Sequence, residues 1–391
     1  MGKIAGPFFS IEILRRVLYN GRRKEVGYPV QSIKAIPFPK RHIWLLADLL
    51  AIGLYFLLRE DRALMNAFTA QVTQPLKDAV ASLCYLVPFS VAEWLYAAFF
   101  ALCLGWTGWS LHRIRTAGRG RRLRALWGGG LGLLCLLATA YAAFCLVWGV
   151  NYYTDSFQER SGIYAQPVSV EELYRVTALM AEGIDRTAPL VERDERGVFA
   201  EDRQEILEKG IHAYDALSQT FPFLAREDRV PKPMFFSKVF SAMGFTGFYC
   251  GYTGESNLNV DSPVCFLPAT VAHELAHQRG IASEQECNFL AVLAATTMDD
   301  PVYQYSGYLM AYVHLGNALW QADPDLWRQL RDGLCPQALT DLADNSAYWA
   351  AWEGPAETVS NKVYDGLLKS YGQADGIRSY GTVVDLLVAY Y

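Results

Sequence analysis

Two of the six histidines in this 391-residue chain, His273 and His277, flank Glu274 in an H-E-x-x-H pattern. On a helix, residues four apart share a face, so both imidazoles can bind a single metal ion. Glu274 lies beside them, where it can take a proton from a water activated at that metal. Val271, Ala272, Leu275 and Ala276 are apolar, which predicts a half-buried helix, a rigid platform for metal ligands.

A second helix is expected to start at Ser283, a good N-cap, with Gln285 and Glu286 in its first turn and Gly280 turning the chain between the two helices. A carboxylate on that helix can complete a three-ligand site and leave the fourth position to water. Glu284 and Glu286 are two residues apart and point about 200° away from each other, so only one faces the histidines. Glu284 shares its face with Asn288, four residues on. Cys287 is the candidate fourth ligand if the site is closed and structural.

The flanking sequence says where this platform stands. Residues 1–152 hold 18 Lys/Arg against 7 Asp/Glu, and the remaining 239 hold 17 against 33. A net of +11 followed by −16 predicts two environments on one chain. Three segments read as membrane spans: about 43–58 (with Asp48 inside), 87–111 (with Glu93) and 125–150, which is free of charge. Asp48 and Glu93 are candidate intramembrane functional acids, or simply groups reaching toward water or a neighbouring helix. Nine Lys/Arg precede the first span and six Arg lie between Arg113 and Arg124. The positive-inside rule then places the basic arm 1–42 and the Arg loop in the cytoplasm, and residues 151–391 outside the cytoplasmic membrane. The bilayer is therefore an expected partner; nucleic acid is not, because topogenesis accounts for the Arg loop.

Further along, Ser169–Val170–Glu171–Glu172 is a capping pattern before a helix to about Ala188, and a second helix is expected over 204–220. The Gly/Tyr/Phe-rich stretch Met243–Asn259 reads as strands and tight turns. Such a strand before the metal helix can hold an extended substrate by β-addition, which makes Gly251, Tyr252, Thr253 and Gly254 the candidate substrate-binding residues. Helices are expected over 303–318, 326–334 and 348–369, followed by a terminal apolar helix. His314, Tyr380 and Arg378 are candidate donors to a developing oxyanion. Of the eight cysteines, Cys250 and Cys265 are the most plausible pair, although spacing does not fix connectivity.

The three N-terminal spans, the Trp148–Tyr153 junction, Thr253–Gly254–Glu255, Leu267–Pro268 before His273–Glu274–Leu275–Ala276–His277–Gln278, Ser283–Glu284–Gln285–Glu286–Cys287–Asn288–Phe289 and the terminal Ser379–Tyr380–Gly381 resemble a bacterial multi-pass membrane-protein family of unknown function that carries an H-E-x-x-H motif. The metal segment is similar to that of gluzincin-type zinc metallopeptidases. In those enzymes the ligand Glu stands four residues before an Asp or Asn that orients the first His, which the pair Glu284–Asn288 matches. Two features depart from the pattern. Glu284 follows His277 by only seven residues, where gluzincins insert more. The Gly280 spacing is metzincin-like, but the third His would fall at Ser283, which is no ligand.

The resemblance implies a gluzincin-like zinc metallopeptidase, with Zn²⁺ on His273, His277 and Glu284, Glu274 as general base, and Asn288 and Glu286 behind the ligands; Glu286 stays in reserve as the third ligand, and His314 and Tyr380 remain the candidate further catalytic groups. The expected architecture is mainly α and membrane-anchored, with three spans followed by an α+β zincin-like domain and a small β segment before the metal helix. The expected activity is hydrolysis of peptide bonds in a peptide or protein, including cell-wall peptide. The competing readings are a non-catalytic envelope scaffold or receptor with a structural zinc, and a zinc amidase acting on cell-wall peptide.

Overall fold

The computed structural model describes residues 37–371 and 380–391, so residues 1–36 of the basic arm lie outside the described residues. Among the described residues, three helices are long and apolar enough to cross a membrane: Pro39–Leu58 (α1), Val91–Thr116 (α4), and the run Arg119–Val147, whose α-helical part is Arg122–Val147 (α5). The second begins at Val91, later than the hydropathy suggested, because Ser90 caps it by accepting a hydrogen bond from the Glu93 amide. The stretch between the first two spans is not a loop. Arg62–Phe68 (α2) and Gln74–Cys84 (α3) are joined by a π-helical turn, Thr69–Thr73, and bury Met65, Thr73, Lys77 and Ala81.

Asp48 and Glu93 follow the second of their two expected readings and reach to neighbouring segments. Thr139 of α5 donates from its hydroxyl to Asp48 at 2.7 Å. Glu93 accepts the amides of Phe235 and Phe236 at 2.9 and 2.8 Å, fastening α4 to the following domain.

Beyond the third span come Phe157–Ser161 (α6) and Val170–Thr187 (α7), both opened by capping boxes at Ser156 and Ser169. The helix expected over 204–220 is broken into Arg203–Lys209 (α8) and Asp215–Thr220 (α9). A 3-10 turn, Gly210–His212, separates them, and Gly210 packs so closely on the H-E-x-x-H helix that a Cβ there would meet Val271 Cγ1 at 2.5 Å. A three-stranded sheet follows, in the order Lys232–Pro233 (β1), Glu255–Leu258 (β3), Gly247–Cys250 (β2), with β1–β3 parallel and β2–β3 antiparallel. The short helix Ser237–Ala242 (α10) lies between β1 and β2.

Leu267–Gln278 (α11) and Glu284–Thr297 (α12) carry the H-E-x-x-H segment and the helix after it. Pro301–Ala322 (α13), Pro324–Gly333 (α14), Pro336–Ala350 (α15) and Pro355–Ser370 (α16) each begin at a proline, whose fixed φ and missing N–H suit the first helical position. The run expected as one helix over 348–369 is therefore two, divided at Gly354–Pro355. Tyr380–Tyr390 (α17) closes the chain.

The core is built from α7, α11, α12, α13 and α17, with Leu275, Phe289, Leu293, Leu309 and Leu386 fully buried. The protein is thus mainly helical with a small sheet, and residues 40–391 form one compact unit. A buried ion pair fixes the sheet to the spans. Lys232 on β1 meets Glu255 on β3 at 2.6 Å, and Glu255 also accepts the Val91 and Ala92 amides at the start of α4. Cys250 and Cys265, the expected pair, are both free; Cys250 lies 3.5 Å from the Tyr96 hydroxyl of α4.

Candidate metal centre

Helix α11 stops at Arg279 because Gly280 takes a left-handed conformation (φ 82°), and Ser283 then caps α12 by accepting the Glu286 amide. This tight corner folds α12 back along α11. His273, His277 and Glu284 are thereby brought together with one ligand atom of each within 4.8 Å of the others. The facing atoms are the two Nε2 nitrogens and the carboxylate: His273 Nε2 is 3.2 Å, and His277 Nε2 3.5 Å, from Glu284 oxygens.

The opposite ring nitrogens are tied back. His277 Nδ1 is 2.7 Å from the Ile281 carbonyl, an acceptor only, so Nδ1 carries a proton and Nε2 points inward. His273 Nδ1 lies 2.9 Å from Asn288 Oδ1. Outer partners of this kind orient histidines for a metal. Burial opposes ionisation of Glu284, but His277 and His273 outweigh it and hold its carboxyl well below the usual range. Two neutral-capable imidazoles and one ionised carboxylate are a donor set that fits a divalent transition metal.

Glu274 is buried beside the ligands, and its Oε2 has no hydrogen-bond partner among the described residues. Burial pushes its carboxyl up to about 7 against the pull of His273 and His277. The strand β2 passes over it: a Cβ on Gly247 would sit 2.8 Å from Glu274 Oε1. Trp148 and Tyr249 wall the other side, their ring centroids 5.7 and 6.4 Å from that of His277.

Glu286 turns away from the metal ligands and caps α6, accepting the Phe157 and Gln158 amides at 2.9 and 3.2 Å. Cys287 lies against the back of His277, 3.3 Å from Nδ1, not on the Nε2 side where the ligands converge. His314 of α13 is half-buried near His273, and burial first, then that neighbour, lower its pKa to about 4. Tyr380 begins α17, but its side chain, like Arg378, lies outside the described residues.

Gly251, Tyr252, Thr253 and Gly254 form the turn between β2 and β3, which packs against α3 and the end of α5. Tyr252 donates to the Ala140 carbonyl in α5, Gly251 abuts Trp148, and Gly254 abuts Ala81. The backbone next to Glu274 is β2 instead.

Tyr364 on α16 is a contact the sequence did not announce. Its hydroxyl donates to Glu284 Oε1 at 2.6 Å, and burial followed by Glu284 raises its pKa well above the ordinary value. Nothing local in Lys362–Val363–Tyr364–Asp365 marks it; its place depends on the packing of α16. Tyr152, in the turn after α5, is likewise pushed up to about 12 by burial, with Glu284 close by.

Fold and site together define a helical protein with three membrane-length helices and a His–His–Glu group able to hold a metal. The chain belongs to a family of proteins of unknown function, DUF3810, whose model matches residues 68–388. No curated protein and no solved structure matches it.

Proposed function

We propose that the protein is a membrane-anchored zinc metallopeptidase whose metal centre faces the extracytoplasmic side. The observation that carries this reading is the convergence of His273 Nε2, His277 Nε2 and the Glu284 carboxylate, with Glu274 beside them, its Oε2 without a hydrogen-bond partner among the described residues. Zinc held there supplies Lewis acidity toward a water and a scissile carbonyl. Glu274 accepts the proton of the attacking water and returns it to the departing amine, a role suited to a carboxyl near 7. Tyr364 stays protonated and spends its one O–H on holding Glu284 in place.

The edge strand β2 is the platform for an extended substrate. In antiparallel pairing, hydrogen-bonded and non-bonded pairs alternate. The Asn259 amide bonds the Thr246 carbonyl; with Phe248 opposite Asn257, this leaves the N–H and C=O of Gly247 and Tyr249 directed outward. Among the described residues no hydrogen bond engages them, so β-addition can proceed next to Glu274. The basic arm and Arg loop favour the extracytoplasmic placement.

A purely structural zinc is disfavoured by Cys287, which lies behind His277 and leaves the three-ligand set open. The test is metal content and peptide hydrolysis by the full-length protein. One metal per chain is expected in wild type and Glu274→Gln and none in His273→Ala, with hydrolysis by Glu274→Gln lower by about 10³-fold. A folded, metal-free wild type, or undiminished hydrolysis by Glu274→Gln, overturns the reading.

A further inference from the structure

The strand beside the catalytic carboxylate runs directly into the membrane helices. At its start, Gly247 packs on Glu274. One residue on, Phe248 lies 6.0 Å from the Tyr96 ring of α4, and Cys250 lies 3.5 Å from the Tyr96 hydroxyl. Tyr96 is five residues into that membrane-length helix. The turn goes deeper still: Tyr252 bonds the carbonyl of Ala140, seven residues before the end of α5 at Val147, about 10 Å at 1.5 Å per residue. The metal centre is equally close, because Trp148, the residue after α5, contacts the His277 ring.

The surface at this level is apolar. Phe235 is 74% exposed although it lies outside the spans, and its ring is 6.1 Å from that of Trp94, itself 49% exposed in the first turn of α4. Exposed aromatics at the end of a span mark the bilayer interface. Gly247 to Cys250 is three strand steps, about 10 Å. A substrate strand paired with β2 therefore has one end at Glu274 and the other at the bilayer surface.

We infer that the substrates are membrane-tethered polypeptides, cut in the extended segment within a few residues of their own membrane anchor. The inference rests on the peptidase reading above and names its substrate class. The polar edge of β2 binds the backbone of the segment, while the bilayer holds its anchor and keeps the segment aligned with the strand. Sequence selectivity is accordingly modest and position relative to the membrane decides the cut, because backbone pairing reads no side chain.

The test uses the full-length, zinc-loaded protein in phosphatidylethanolamine/phosphatidylglycerol vesicles. One probe is a degenerate peptide library fused to a single transmembrane helix. The other is the same library without the helix, and Glu274→Gln is the blank. Products are mapped by mass spectrometry. The anchored library is expected to be cut about 100-fold faster, the gain tethering gives through effective concentration, at sites clustered about three to eight residues from the span. When a fixed spacer is inserted between span and library, the cuts stay at the same distance from the bilayer. Equal rates on both libraries, or cuts that move with the sequence when the spacer is added, overturn the inference and leave the peptidase reading standing. Cleavage of neither library by metal-loaded wild type overturns that reading and the inference with it.

Discussion

The Tyr364 hydroxyl donates a 2.6 Å hydrogen bond to Glu284 Oε1, linking α16 to the ligand carboxylate across 80 residues of chain. Tyr364→Phe removes that donor while keeping the ring. Outer partners of metal ligands are worth about 10–100-fold in affinity or turnover. Hydrolysis is expected to fall by about that factor while the variant still binds one metal, and its pH profile should gain no new limb because the wild-type phenol stays protonated. Wild-type turnover in Tyr364→Phe would remove Tyr364 from the mechanism.

Gly247 faces Glu274 so closely that a methyl group there has no room, meeting Oε1 at 2.8 Å and the Asn257 carbonyl at 3.1 Å. Gly247→Ala should displace the carboxylate by a fraction of an ångström. Misplacement on this scale costs about 10²-fold in rate. The expected result is a loss in kcat with metal content unchanged; loss of metal together with activity would show that the ligand helix itself had moved.

Lys77 is buried over the rings of Trp148 and Tyr249, at 5.0 and 5.6 Å, with no hydrogen bond to its amine among the described residues. Burial, aided by Arg226, lowers its pKa to about 7, against an ordinary 10.5. Between these values the unfolded chain binds the proton that the folded chain sheds. Stability therefore rises with pH through that window and is lowest below 7. The charged form costs of order 5 kcal/mol before ring attraction offsets part of it. Lys77→Met should flatten the dependence of Tm on pH between 7 and 10 and raise Tm at pH 7. An unchanged slope would place the titration elsewhere.

The Lys232–Glu255 pair, almost fully buried, joins the sheet to the start of α4. Removing one charge strands the other, at a cost of about 3–5 kcal/mol. Glu255→Gln should lower Tm markedly, and adding Lys232→Met should recover part of the loss, since the Gln carbonyl still accepts the Ala92 amide. If the double variant is less stable than Glu255→Gln, the pair is not the source of the cost.

Much of this protein was legible in its residues taken in order. Membrane-length apolar runs must become helices, because hydrocarbon leaves no other partner for the backbone. Capping residues at Ser169 and Ser283, and the left-handed turn at Gly280, set helix ends by local hydrogen bonding. The i, i+4 spacing put His273 and His277 on one face before any tertiary contact formed. Spacing also placed Glu284 with Asn288 and Glu286 opposite them, but it could not say which face would meet the histidines.

That choice belonged to packing. The corner at Gly280 lays α12 against α11, and the amides of α6 claim Glu286. Gly251–Gly254, expected as substrate-binding residues, form a turn tied by Tyr252 to the end of α5, while β2 is the strand beside Glu274, a placement that depends on tertiary packing. Charge is rare in spans, so Asp48 and Glu93 invited a functional as well as a structural reading; their partners, Thr139 and the Phe235–Phe236 amides, are far away along the chain. Tyr364 was invisible for the same reason. Local periodicity and capping fix what each segment is, whereas the contacts that make a site run between segments distant in sequence, and only the folded arrangement brings them within hydrogen-bonding reach.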